Sequence, residues 1–311
     1  MKSSKISILN RKKKAMDLPL GYNVTINIII ALFCLSCVIP FLFIIIISFT
    51  DEMFIIENGY TFFPKVLSLN AYRYISEAGS QLFQSYGITI FTTVAGTMLS
   101  LIVIGFYSYA ISRKEFKFRK FFTFMCFFTM LFNGGMVPTY IVMTQLLHLK
   151  DTIWALILPL MVNAWFILIL KTYFTMTVPD SLIDSARIDG AGEFRTFFQI
   201  VIPISLPGFA TIALFNTLNY WNDWFQSLLY ITDPSLTTLQ YLLMKIENNM
   251  EFMINNASNL GGGESYLLLQ NIPRSTTKMA MVVLCTGPII LAYPFFQRFF
   301  IKGLTVGAIK G

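Results

Sequence analysis

The stretch Val24-TINIIIALFCLSCVIPFLFIIIIS-Phe49 carries no charged residue in 26 positions. A helix needs about 20 such residues to cross a hydrocarbon core about 30 Å thick. This run is long enough to span a bilayer once. A basic cluster, Arg11 to Lys14, precedes it, as in a secretory leader. A leader, however, has an apolar core of only about 7–15 residues. The run therefore reads as a first span that stays attached.

Outward from it, the chain repeats the pattern. Of 311 residues, 55% are hydrophobic and only 13% charged. A soluble domain carries about 25% charged residues. The periodicity and length of the apolar blocks predict six spans: Val24–Phe49, Gly87–Ile111, Phe121–Thr144, Thr152–Leu170, Leu206–Ile231 and Met279–Phe300. The third and fourth are interrupted by Asn133, Pro138, Pro159 and Asn163. Membrane helices accept such breaks where neighbours satisfy the freed backbone groups. The predicted organisation is a tail over 1–23, a membrane domain over 24–300 and a second tail over 301–311.

The net charge of +7 raises the question of nucleic acid, and its distribution answers it. Seventeen of the 23 Lys and Arg fall on one side of the six-span arrangement, in the termini and in the segments around Arg113–Lys120 and Lys171–Arg195. The positive-inside pattern then predicts both termini in the cytoplasm of a multi-pass cell-membrane protein, with no nucleic-acid partner. The outer segments are Thr50–Tyr86, a short turn near His148, and Thr232–Lys278. The last holds Glu247-Asn-Asn and Asn255-NASNLGG-Gly263 and reads as an irregular loop. The Asn256-Ala-Ser258 sequon within it reads as incidental.

Candidate chemistry is sparse. Cys34 and Cys37 make a CxxC spacing, but inside a membrane-length run with no second pair they read as small packing residues. His148 is the only histidine, and the acidic residues are scattered, so no catalytic or metal-ligating group is predicted. A GxxxxGK[ST] phosphate loop is missing from the sequence.

The informative soluble segment is 178–207, Val178-PDSLIDSARIDGAGEFRTFFQIVIPISLP. Pro179 and Asp180 suit a first helical turn. Leu182, Ile183 and Ala186 recur at helical spacing, and Gly190 can end the helix in a left-handed conformation. A second helix starts near Glu193, with Phe194, Phe197 and Phe198 on its apolar side, and Pro203 and Pro207 lead to the fifth span. A helix–turn–helix of this kind fits docking on a cytoplasmic partner. Periodicity alone fits a helix lying on the lipid surface equally well.

In the fifth span, Asn216, Asn219, Tyr220, Asp223, Gln226, Ser227 and Tyr230 share one side of a helical wheel. Leu214, Leu218, Trp221, Phe225 and Leu229 lie opposite. Such a stripe lines a cavity or bonds neighbouring helices; hydroxyl-rich sugars would suit its mix of donors and acceptors. Asn133-Gly-Gly135 and Pro138 add a candidate break beside a path, or a point of close packing.

Asp184-SARIDG-Ala191, followed by Phe197, Ile200 and Pro203, resembles the EAA motif of binding-protein-dependent ABC import permeases. Asp184 takes the acidic place, Ser185 and Ala186 the two small ones, and Asp189, Gly190 and Ala191 match outright. Asp184 is one methylene shorter than the usual Glu, and Ser185 replaces Ala. Asn133-GGMVP-Thr139, Thr152-IWALIL-Pro159, Trp221-ND-Trp224 and Ile301-KGLTVGAIK-Gly311 extend the resemblance to the sugar-permease branch, most like the LplC/YtcP type and more distantly MalG. The resemblance implies an all-α, six-helix MalG-like permease fold, with a cytoplasmic coupling helix (loop 178–203) between the fourth and fifth spans and an outer loop at 232–278. It implies oligosaccharide import by alternating access. It further implies a second, homologous permease subunit, two ATPase subunits carrying the ATP and Mg, and an extracellular sugar-binding lipoprotein. A permease for a non-sugar solute and an ion-coupled secondary carrier are the alternatives.

Overall fold

The computed structural model describes residues 20–256 and 273–308. The basic N-terminal cluster and the Gly261–Gly263 run lie outside the described residues. Among those described, the structure is helical apart from short connections and a single bridge between Thr50 and Leu67. In chain order the helices are α1 (Leu20–Ser48), α2 (Glu52–Asn58), α3 (Asn70–Ser76), α4 (Ser80–Ser112), α5 (Arg119–Leu131), α6 (Met136–Ile141), α7 (Ile153–Met161) and α8 (Ala164–Thr177). They continue with α9 (Asp180–Ile188), α10 (Glu193–Thr196), α11 (Leu206–Trp221), α12 (Phe225–Tyr230), α13 (Leu239–Asn255) and α14 (Arg274–Ala308). Wide π turns extend α6 over Val142–Leu146 and α10 over Phe197–Val201.

Three helical stretches are each long and apolar enough to cross a membrane: Gly21–Ser48, Ser80–Ser112 and Arg274–Gln297. Three bent pairs bring the number to six if each pair is one span. The bends are where the sequence breaks its own helices. At Asn133–Gly135, where Gly135 has φ +88°, the chain turns by 113° between α5 and α6. The third span, expected to be interrupted at Asn133, is thus a sharply folded pair. Between α7 and α8 the bend is 50°; Asn163 there accepts hydrogen bonds from the N–H groups of Trp165 and Phe166 and starts the new helix. The fifth span differs more. It meets the preceding helical stretch at 82° near Ser205, and α11 ends at Trp221 instead of running to Ile231. The Asn222 amide folds back on the Leu218 carbonyl, and the Asp223 carboxylate accepts from the Gln226 N–H in the first turn of α12.

The chain forms two compact units. Of the described residues, the first comprises 20–71 together with Pro273–Val283. Within it, Asp51 caps α2 through the N–H groups of Met53 and Phe54, and Phe43 stacks on Phe62. The Glu52 carboxylate accepts from the N–H groups of Ser275 and Thr276 and from the Thr276 hydroxyl, each at 2.8 Å. An acidic group there satisfies the open donors at the start of α14 and complements its dipole. The apolar side chains of α1, such as Ile29, Leu32 and Phe33, point outward, as a hydrocarbon surrounding requires.

In the second unit (described residues 72–256 and 284–308), α4 is the hub, touching α7, α8, α11 and α13. Its buried face is made of small residues, among them Ser85, Thr89, Gly96, Ser100, Gly105 and Ser108. Small residues let membrane helices approach closely, where packing and hydrogen bonds replace the hydrophobic drive. At Gly96 the Tyr220 ring lies on bare backbone: a Cβ would sit 2.4 Å from Cζ. Serine and tyrosine hydroxyls of α4 and α11 serve carbonyls of the broken helices. Ser100 donates to the Met161 carbonyl, Ser108 to that of Ile167 at 3.0 Å, and Tyr220 to that of Ile157 at 2.8 Å. Pro288 has no N–H to give the Leu284 carbonyl, which the Tyr86 hydroxyl takes at 3.0 Å.

The segment expected as an irregular outer loop contains the 17-residue helix α13. Leu239, Leu242, Leu243 and Met250 recur at helical spacing and are buried, which gives that helix a face to pack.

Candidate functional site

The loop after α8 folds as two helices around a fixed corner. Pro179 precedes α9 in extended backbone, and Asp180 occupies its first turn. At the far end Gly190 adopts φ +79°. Its N–H donates to the Arg187 carbonyl at 3.0 Å, and the Ala191 N–H reaches back to the Ala186 carbonyl at 2.9 Å. These paired bonds form a Schellman motif, the reason glycine stands here. The sequence's Gly turn is therefore present.

One side of the corner is anchored. Ile183 and Ala186 are buried, and Ile183 belongs to the core with Ile104, Tyr109, Phe174, Val178 and Phe197. Phe197 stacks on Phe106 at 4.7 Å and lies against Tyr109 at 5.2 Å. Leu182 is more exposed than its place on the wheel predicted, and Phe194 and Phe198 are exposed while touching Phe106 edge-on. The other side is open: Asp184, Ser185, Asp189 and Gly190 face outward, Ala191 is half-buried, and Ile188 is 86% exposed.

Charge fixes the angle between the two helices. Arg187 bonds Glu193 across the corner at 2.8 Å, and the Tyr109 hydroxyl of α4 donates to the other Glu193 oxygen at 2.7 Å. The Tyr109 hydrogen bond, and the hydrogen bond and charge of Arg187, hold the Glu193 carboxyl below its ordinary value. Lys114 pairs with Asp180 at 2.8 Å and lowers that carboxyl in the same way. Exposed pairs of this kind contribute about 0.2–1 kcal/mol, so they set geometry more than stability. The Arg187–Glu193 clip flanks Gly190 in sequence and was there to be noticed. Tyr109, 84 residues away, had no local signal.

The polar residues of the fifth segment divide into two groups. Asn216, Tyr220, Ser227 and Tyr230 are buried. Tyr220 holds the Ile157 carbonyl, Ser227 accepts from the Thr238 N–H at 3.3 Å, and both amide atoms of Asn216 are enclosed without a protein partner. Asn219 is exposed and Asp223 half-buried. Asn133 is brought to the other end of the stripe: with Gly135, Thr139, Pro159, Gln226 and Tyr230 it lines a cavity of about 380 Å³. Its own Oδ1 accepts from the Gly135 N–H at 2.8 Å. Trp221, on the apolar side of the wheel, is buried and donates to the Cys285 carbonyl at 2.8 Å.

Residues 101–306 match the family described as binding-protein-dependent transport system inner membrane component. The chain is 39% identical over 280 residues to the polygalacturonan/rhamnogalacturonan transport system permease protein YtcP of Bacillus subtilis, covering 90% of this chain and 95% of that one. It is 37% identical to protein LplC of the same organism, over 88% and 90% of the two chains. Among solved structures, a bacterial ABC transporter involved in the import of the acidic polysaccharide alginate has a chain that superimposes with a TM-score of 0.72 at 26% identity, over 91% of this chain and 99% of that one. Anchored corner, small-faced hub helix and broken spans thus coincide with a family match over most of the sequence, and the chain belongs to the binding-protein-dependent inner membrane components, the permease subunits of ABC importers.

Proposed function

We propose that this permease passes an oligosaccharide inward by alternating access, driven by ATP hydrolysis on separate subunits. The observation that carries the proposal is the corner around Gly190. Its outer face is open, while its inner face is fastened to α4 through Tyr109 and to α11 through Phe197 and Phe209. An ATPase subunit gripping Asp184, Ser185, Ile188 and Asp189 would move both helices together. Ala186 and Ala191 keep the corner narrow enough to seat in a cleft. A second, similar permease, two ATPase subunits holding ATP and Mg, and an extracellular binding protein complete the assembly. The corner and both termini lie on the cytoplasmic side in this reading, as the Lys and Arg distribution supports.

The sugar cargo rests on relatives. Besides those above, arabinooligosaccharide permease AraQ of Halalkalibacterium halodurans is 29% identical over 282 residues. For the path, Asn133 and Gln226 in their shared cavity, with Asn219 and Asp223, offer neutral and acidic groups to hydroxyls. Tyr220 and Ser227, bonded to Ile157 and Thr238, hold α11 and α12 in place, while the enclosed Asn216 amide is left for the path. A second reading, a non-sugar solute, is favoured by one observation: the sn-glycerol-3-phosphate permease UgpE of Yersinia enterocolitica is 28% identical over 229 residues.

The reconstituted transporter, given its binding protein, separates these readings. Pectic or arabinan oligosaccharides should stimulate ATP hydrolysis, and glycerol phosphate should not. Asn133→Ala with Gln226→Ala should cut uptake at least tenfold while the assembly co-purifies intact. Stimulation by glycerol phosphate alone refutes the sugar assignment, and normal uptake by the double variant refutes the path.

A further inference from the structure

Where α4 ends and α5 and α8 lie beside it, the structure contains a groove of about 700 Å³ that the transport reading does not use. Its rim is basic: Arg113, Lys114, Arg119, Lys120 and Lys171 all line it, against the single carboxylate of Asp180. That carboxylate is engaged by Lys114 at 2.8 Å. Arg113 is buried, bonded to the Ser112 hydroxyl and 5.3 Å from the Tyr109 ring. Among the described residues, no carboxylate pairs with Arg119, Lys120 or Lys171. Lys171 is half-buried. Cations gathered on one rim without carboxylate partners repel one another, and an anion among them would relieve this.

The floor of the groove is of the opposite kind. Phe124 and Phe127 of α5 and Leu168 of α8 form it. From Arg119 to Phe127 the helix descends about 12 Å, at about 1.5 Å per residue. Phe124 and Phe127 are also exposed on the outer apolar face. The groove therefore runs from a cationic rim at the helix ends to an apolar wall facing the hydrocarbon.

We propose that this groove is a binding site for one anionic phospholipid. Its phosphate sits among Arg119, Lys120 and Lys171, and an acyl chain lies along Phe124, Phe127 and Leu168. Charge complementarity selects the headgroup, and continuity with the outer apolar face selects a lipid over a soluble phosphate ester. Basic pockets between membrane helices commonly recognise anionic headgroups, with each cation near the surface strengthening the interaction severalfold. The assignment is independent of the transported cargo.

The test is native mass spectrometry of the full transporter in detergent, titrated with phosphatidylglycerol and, in parallel, phosphatidylcholine. Wild type should prefer phosphatidylglycerol. Arg119→Gln/Lys120→Gln/Lys171→Gln should lose that preference, by about fivefold for each charge removed and on the order of a hundredfold in all. The charge-keeping variant Arg119→Lys/Lys171→Arg should retain it, which separates loss of charge from loss of fold. Free glycerophosphate at equal concentration should not displace the lipid. Equal binding of the two lipids by wild type, undiminished phosphatidylglycerol binding by the triple variant, loss in the charge-keeping variant, or displacement by glycerophosphate each overturns the assignment.

Discussion

Replacing Gly190 tests the coupling corner most directly. The residue sits at φ +79°, and a Cβ built on it meets no heavy atom within 4 Å. A side chain there would encounter no packing obstacle, so the whole cost is conformational. For an L-residue the left-handed region costs about 1–2 kcal/mol, with a β-branched residue at the upper end or beyond. Against this stand the two Schellman bonds, from Gly190 to Arg187 and from Ala191 to Ala186. Net hydrogen bonds contribute about 0.5–1.5 kcal/mol each. The two magnitudes are comparable, so Gly190→Val should bring the wound and unwound corners near balance. A change of one or two kcal/mol shifts that population by about 5–30-fold. Gly190→Asn should be far milder, because asparagine tolerates this backbone. Two readouts on the assembled transporter follow. Amide hydrogen exchange at residue 191 should accelerate in the order Gly, Asn, Ala, Val at position 190. Binding-protein-stimulated ATP hydrolysis and co-purification of the ATPase should fall in the same order. A valine variant with wild-type protection at Ala191 and wild-type coupling refutes the argument.

Other perturbations address the helix contacts and the clip. Tyr220→Phe removes the donor to the Ile157 carbonyl. It should destabilise the assembly in detergent by about 0.6–1.7 kcal/mol, the range for hydrogen bonds between membrane helices; an unchanged thermal midpoint contradicts it. Gly96→Ala puts a methyl where the Tyr220 ring lies, and overpacking of this kind costs about 1–3 kcal/mol. Combining it with Tyr220→Ala should recover part of the loss, and strict additivity of the two would exclude the contact. Acid should act on the corner through Glu193, whose folded carboxyl is depressed by Tyr109 and Arg187. Its stabilising contribution is complete above the ordinary glutamate value and disappears as pH falls through the depressed folded one. In Glu193→Gln the acid-side rise in hydrogen exchange around Gly190 should flatten. A variant with the parent's acid profile rules this out.

Much of the architecture is legible along the chain because it is set locally. Twenty-six uncharged residues from Val24 to Phe49 have to find hydrocarbon whatever surrounds them. A glycine after nine helical residues, followed by Glu193 and a phenylalanine cluster, gives a corner from short-range bonding alone. Breaks at Asn133 and Asn163 are equally local, although the 113° and 50° angles they take are not. The helix α13 was hidden behind the Asn and Gly residues that surround it, while its leucine spacing was plainly written.

The polar side of the fifth segment marks where local reasoning stops. A helical wheel says which residues share a side, and nothing about what stands opposite. Only the assembled bundle places the carbonyls of Ile157 and Met161, at the end of a proline-containing helix, beside hydroxyls from two distant helices. Tyr220 is drawn inward to one of them, while Asn219, next to it in the chain, stays outside. Tyr109 and Glu193 meet for the same kind of reason, across 84 residues. The sequence by itself determined that the chain is built of long apolar segments and that it turns at Gly190, because both follow from a few adjacent residues. Tertiary structure alone decided which polar groups are consumed in holding the helices together, because in hydrocarbon each freed carbonyl draws on whichever donor the packing brings within reach.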